Sequence, residues 1–173
     1  MNSKTLPFFF CLSIFAASCV QTTKETDPTN AKPDLYAEIT GSSAKYDSIL
    51  AQKMDADEYG MHRYVMAFLK KGPNRDLDSI TAANLQKAHL ENIVKMGEAG
   101  KLVLVGPFID TGEVRGIYIF KVATVEEARA LTATDPAIQA GSLIMELRPW
   151  YGSAALPLIT PLHKRVEKTS VAK

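Results

Sequence analysis

The stretch His62 to Leu69 (His-Arg-Tyr-Val-Met-Ala-Phe-Leu) is apolar on both faces of the strand it would form. Tyr64, Met66 and Phe68 point one way, and Val65, Ala67 and Leu69 the other. A sheet that turns one face to water alternates apolar with polar residues, so this strand demands cover on both sides. Lys70-Lys71-Gly72-Pro73-Asn74 closes it as a turn cluster. A helix is predicted next, from Ser79 or Thr81 to Ala99, with Gly100 as its C-terminal stop. Lys101 to Phe108 reads as a second strand, Asp110-Thr111-Gly112-Glu113 as a turn, and Gly116 to Val122 as a third strand completing a hairpin. Thr124-Val125-Glu126-Glu127 is a capping box that opens a second helix, running through Leu131 and breaking near Asp135-Pro136. Ser142 to Arg148 supplies the fourth strand.

The order βαββαβ predicts an α+β fold, a ferredoxin-like sandwich with a four-stranded antiparallel sheet and both helices on one face. Two helices leave the second face uncovered. The same face of another copy would close it, giving a homodimer and a dimeric α+β barrel. The alternative is closure within one chain, by the tail after Trp150 and by a short amphipathic helix over residues 44–57, where Tyr46, Ile49, Leu50 and Met54 have helical spacing.

A polar start with Lys4, an apolar run from Leu6 to Ala17 and the small residues Ala16-Ala17-Ser18 before Cys19 read as a secretory signal. The run falls short of the roughly 20 residues that span a bilayer. Ala16-Ala17-Ser18-Cys19 resembles a bacterial lipobox, in which Cys19 is acylated and becomes the new N-terminus. Ordinary cleavage after Ala17 or Ser18, leaving a secreted or periplasmic protein, is the competing reading. Cys11 and Cys19 are the two cysteines of the chain, so no thiol chemistry is available to the folded domain. The predicted organisation is a signal peptide over 1–19, a flexible tether over 20–40, a helical extension over 41–58, an α+β domain over 59–150 and a tail over 151–173. A membrane-anchored lipoprotein of the bacterial cell envelope is the expected location.

The 173 residues suit one domain of ordinary size. Twenty basic against 19 acidic residues give a formal charge of +1, which offers no electrostatic case for nucleic acid. No Gly-rich phosphate loop, metal-ligand pair or nucleophile elbow occurs, so neither metal nor cofactor is expected.

Of three histidines, His62 begins a strand and His163 lies in a basic tail. His89 differs, because 100° steps place it on an apolar arc with Leu85, Leu90, Ile93, Val94 and Met96 that faces the sheet. An imidazole there is either a hydrogen-bonded core residue or an acid–base group, since its reference pKa suits proton transfer near neutrality. Asp135 before Pro136 caps the next helical turn; over the open end of the sheet it could instead orient His89 as the partner of a dyad. Gly106-Pro107 and Gly116 need only strand-end or close-pairing roles. Arg63, Arg115 and Arg148, at or near strand ends, are candidate anion contacts or surface ion pairs.

Ala88-His89-Leu90, Gly100-Lys-Leu-Val-Leu-Val-Gly-Pro-Phe108, Gly116-Ile-Tyr-Ile-Phe120, Thr124-Val-Glu-Glu-Ala128, Asp135-Pro136 and Glu146-Leu-Arg-Pro-Trp150 fall in an order that resembles the YCII-related family. The resemblance runs over residues 62–150. It implies a dimeric α+β barrel and an active-site pair at His89 and Asp135, acting as a lyase or hydrolase on a small molecule. The signal, tether, N-terminal extension and tail depart from that family's compact cytoplasmic form. A non-catalytic, dimeric ligand-binding or structural module of the envelope is the alternative.

Overall fold

The computed structural model describes residues 45–170, together with Ala37, Thr40 and Gly41. The signal segment, Cys19 and most of the predicted tether lie outside the described residues. Ala37 and Thr40, within the span predicted as tether, are helical, and the Gly41 N–H donates to Ala37 O at 2.8 Å. Residues 46–173 form a separate compact unit.

That unit opens with α1 (Ser48–Met54), capped by the Asp47 carboxylate. It is shorter than the predicted 44–57 and buries none of its residues; Ile49, expected on its packing face, is exposed. Then come β1 (Met61–Lys71), α2 (Ser79–Glu98), β2 (Leu102–Pro107), β3 (Val114–Phe120), α3 (Val125–Thr132), a single turn α4 (Pro136–Gln139) and β4 (Leu143–Ser153). A 3₁₀ turn (Leu156–Leu158) and α5 (Ile159–Val166) follow. The four strands make one antiparallel sheet in the order β2-β3-β1-β4. The fold is mixed α+β, as the sequence predicts.

Local chemistry explains the boundaries. The Asp78 carboxylate accepts from the N–H groups of Ile80 and Thr81, both at 3.0 Å, which fixes the start of α2. At its end Gly100 takes φ +68°, and the Lys101 N–H returns to Met96 O at 3.0 Å. Thr124 Oγ1 accepts from the Glu127 N–H, while Glu127 Oε2 reaches back to the Ala123 N–H, a capping box shifted by one residue. β4 runs five residues past its predicted end at Arg148, through Pro149. The physical reason is position: β4 is an edge strand, and a proline there forfeits no ladder bond with an inner neighbour. Gly116 pairs β3 closely to β2, since a Cβ at that position would meet Gly106 O at 2.7 Å.

α2 and α3 cover one face. Val65, Ala67, Leu69, Tyr118 and Phe120 are buried there against Met96 and Ala128. A fully buried side chain of this size contributes about 1.5–3 kcal/mol, so this layer carries most of the domain's stability. Tyr64, Val103 and Ile119 are buried on the opposite face, where Met66, Trp150 and Leu156 pack on them. The Tyr64 hydroxyl donates to Ser153 O at 2.9 Å. Leu156 belongs to the C-terminal tail, so the chain itself covers part of the second face. Further along that face Lys70, Glu146 and Arg148 form an ionic cluster, with the Arg148 guanidinium 5.8 Å from the centre of the Phe68 ring. Among the described residues no helix is long and apolar enough to cross a membrane.

Candidate active site

His89 sits midway along α2 and, with Met96 two turns on, is one of its two buried residues. Val94, at the margin of the same predicted arc, is exposed. The 3.6-residue repeat therefore aims His89 at the sheet, while Asp135 approaches from the loop between α3 and α4. His89 Nδ1 lies 2.7 Å from Asp135 Oδ2. Asp135 is 0% exposed and His89 7%, which makes this a pair removed from bulk water. The second carboxylate oxygen, Oδ1, accepts the Ala137 N–H at 2.9 Å. One carboxylate oxygen of Asp135 thus caps α4 while the other is bonded to the imidazole.

A carboxylate accepts, so the proton of the short bond resides on Nδ1, and the tautomer this selects for a neutral ring has its lone pair on Nε2. Tyr118 on β3 faces that atom, its hydroxyl 3.4 Å from Nε2 and its ring 6.4 Å centre to centre from the imidazole at 24°. Burial pushes the Tyr118 phenol well above its ordinary value, and the nearby Asp135 charge adds to the shift. Tyr118 is therefore a phenol that donates to Nε2. The 3.4 Å separation is long for a hydrogen bond, so the contact exchanges readily for one to another oxygen.

A second link braces the pair. Asn92, one turn after His89, donates from Nδ2 to Thr134 Oγ1 at 3.0 Å, and the Thr134 hydroxyl donates to Leu131 O at 2.7 Å. These bonds tie α2 to the loop that carries Asp135. His89 and Tyr118 line a cleft of about 480 Å³, a size suited to a small organic molecule. Leu85, Leu90, Ile93, Val105 and Leu143 supply the apolar part of a mixed wall, beside Asn74, Gln86 and Ser142.

The other sequence candidates separate. Arg115 lines the same cleft, donating to Asp110 O at 2.9 Å. Arg148 pairs with Glu146 on the opposite face, and Arg63 lies by a different hollow beside His62 and Trp150. His62 Nδ1 is 3.0 Å from Asp55 O, and His163 Nε2 is 3.1 Å from the Glu167 carboxylate; neither reaches the cleft. Gly106, Pro107 and Gly116 form part of the cleft wall. Cys19 lies outside the described residues. Sequence reasoning missed Tyr118 and Arg75, which also line the cleft. A signal for Tyr118 existed: it alternates in step with Gly116 and Phe120, and a hydroxyl beneath a helix needs a buried partner. No comparable signal marks Arg75, which sits in a loop. Among the described residues no group of three or more His, Cys, Asp or Glu side chains is arranged to hold a metal ion.

No curated protein matches the chain. Among solved structures it is similar to 5-chloro-2-hydroxyhydroquinone dehydrochlorinase (TftG) from Burkholderia phenoliruptrix AC1100, determined in complex with 2,5-dihydroxybenzoquinone. That similarity is distant, at 17% identity and a TM-score of 0.39, covering 50% of this chain and 92% of that one. The YCII-related domain family matches residues 64–151, just over half of the 173 residues and the whole span from Tyr64 through β4 to Tyr151. The chain belongs to the YCII-related family.

Proposed function

We propose that this chain is an enzyme that uses His89 as a general base and Asp135 as its orienter, in a lyase-type elimination on a small organic molecule. The observation that carries the reading is the 2.7 Å Nδ1–Oδ2 bond, which leaves Nε2, the atom facing the Tyr118 hydroxyl, as the basic nitrogen of an imidazole that lines the cleft. A substrate atom displacing the long Tyr118 contact would meet that lone pair directly. His89 Nε2 takes a proton from the substrate, the electron pair of the broken bond forms the new double bond, and the leaving group departs with its own pair. The imidazolium that results is stabilised by the Asp135 carboxylate 2.7 Å away. Such a base contributes about 10²-fold to 10⁴-fold. Hydrolysis, with water as the proton source, uses the same groups.

The sequence supports a wider setting for this chemistry: an exported lipoprotein held to the bacterial cell envelope through Cys19, with a flexible tether. The strand order and antiparallel pairing support a ferredoxin-like plan, and half-covered apolar residues on the second face, Met66 and Phe68 among them, favour a homodimer closed as an α+β barrel. The alternative, a ligand-binding module without turnover, is favoured by one observation, the 7% exposure of His89.

One comparison separates them. Screening hydroxylated and halogenated small aromatics for turnover, the enzyme reading expects His89→Ala and His89→Gln to abolish an activity that the parent shows, with folding and self-association retained. Parent turnover that persists in both variants would remove His89 from the chemistry, and ligand binding with no turnover by the parent would favour the binding module.

A further inference from the structure

Every charged side chain that lines the cleft is basic. Arg75 and Arg115 line it together with His89, and no Asp or Glu does, because Asp135 sits behind the imidazole with no exposed surface. In a chain of 20 basic and 19 acidic residues, this segregation is not the average of the composition. Nor are the two guanidiniums used up by the fold. Arg75 Nη1 donates to Ser142 O at 3.1 Å, and Arg115 Nη1 donates to Asp110 O and Gly112 O. Among the described residues neither has a carboxylate within ion-pair distance. Arg148 shows the contrasting case, paired to Glu146 on the opposite face. Each cleft guanidinium is thus oriented through one nitrogen by backbone carbonyls, while its other N–H groups retain capacity for an anion.

The geometry points to a small organic anion as the ligand of this cleft, with a carboxylate or equivalent planar anionic group held by Arg75 and Arg115 and an apolar body against Leu85, Ile93 and Val105. The inference rests on the cleft being the reaction site proposed above. A hydrogen bond to an ionised partner is stronger than one between neutral groups, so two guanidiniums favour an anion over its neutral isostere. A phenol at Tyr118, kept neutral by burial, adds no opposing charge.

Benzoate and benzamide test it, since they share shape and differ in charge. Titrating each into the protein and following backbone amide resonances, benzoate is expected to saturate in the millimolar range, shifting residues such as Val105, Tyr118 and Leu143. Benzamide is expected to bind at least about tenfold more weakly, the ordinary difference for a charge-assisted contact. Arg75→Gln and Arg115→Gln should each lose about tenfold in benzoate affinity while leaving benzamide unaffected, with partial recovery in the corresponding lysine variants. Raising the salt concentration should weaken benzoate alone. Equal affinity for the two probes, no saturable benzoate shift, or arginine variants that bind benzoate like the parent would overturn the proposal. The two-probe comparison on the unaltered protein stands even where a variant fails to fold. His89→Ala is expected to keep benzoate binding; retained binding with unchanged turnover in that variant would remove the acid–base reading and leave the anion site intact.

Discussion

Asp135 and Glu146 both pair with basic side chains, one beneath the helices and one on the opposite face of the same sheet, and their surroundings are opposite in kind. Asp135 is 0% exposed, bonded through both oxygens and stacked behind an imidazole that is itself buried. Glu146 reaches Lys70 and Arg148 with its side chain 32% exposed and that of Arg148 67% exposed. A hydrogen bond from a basic side chain is available to both. Water decides what it is worth, because a surface pair exchanges one polar environment for another, whereas a buried carboxylate deprived of its partners has none. The first pair is obligatory to its neighbourhood and capable of chemistry. The second is a solvated arrangement that the fold tolerates easily.

The largest effect should come from Asp135→Ala, which removes the α4 cap and leaves the buried Nδ1–H of His89 without an acceptor; a loss of about 2–4 kcal/mol in urea unfolding is expected. A cost no greater than that of Glu146→Ala would break the comparison. Tyr118→Phe keeps the ring and removes one long hydrogen bond, so about 1 kcal/mol is expected at neutral pH. Its pH signature sharpens the test. The folded phenol titrates above its ordinary value of 10.0, so the stability it contributes is complete below that pH and is lost as pH rises toward the folded value. Urea midpoints of the parent should therefore fall from about pH 10 upward more steeply than those of Tyr118→Phe. Glu146→Gln should be the mildest change. Hydrogen bonds from Lys70, then Arg148, hold this carboxyl below the usual range, so its contribution is present above the ordinary carboxylate value and lost as pH falls through the folded one. A small loss at pH 7 that fades on acidification, seen as a slightly shallower acid slope, is expected; a loss at neutral pH as large as that of Asp135→Ala would show that this cluster is structural.

Elements whose signals are local were legible in the sequence. The both-faced strand at His62–Leu69, the helix ended by Gly100 and the capping box at Thr124 each form close to where their residues predict. The end of β4 was not legible, since whether a strand continues through a proline depends on whether it is an edge, a fact of the assembled sheet. Asp135 and His89 lie 46 residues apart, and periodicity could aim each of them without bringing them together. The loop holding Asn92 to Thr134 is what closes that gap, and no sequence pattern encodes it. Arg75 was unreadable for the same reason: a loop arginine acquires meaning only from the walls around it.

The most direct test of the central claim is the protonation of the two His89 ring nitrogens, read by nitrogen-15 NMR on the folded protein near neutral pH. The account predicts a proton on Nδ1, shifted far downfield by its bond to Asp135 and slow to exchange, with Nε2 unprotonated and the downfield signal lost in Asp135→Asn. A proton residing on Nε2, or rapid averaging between the two nitrogens as in free imidazole, would contradict it.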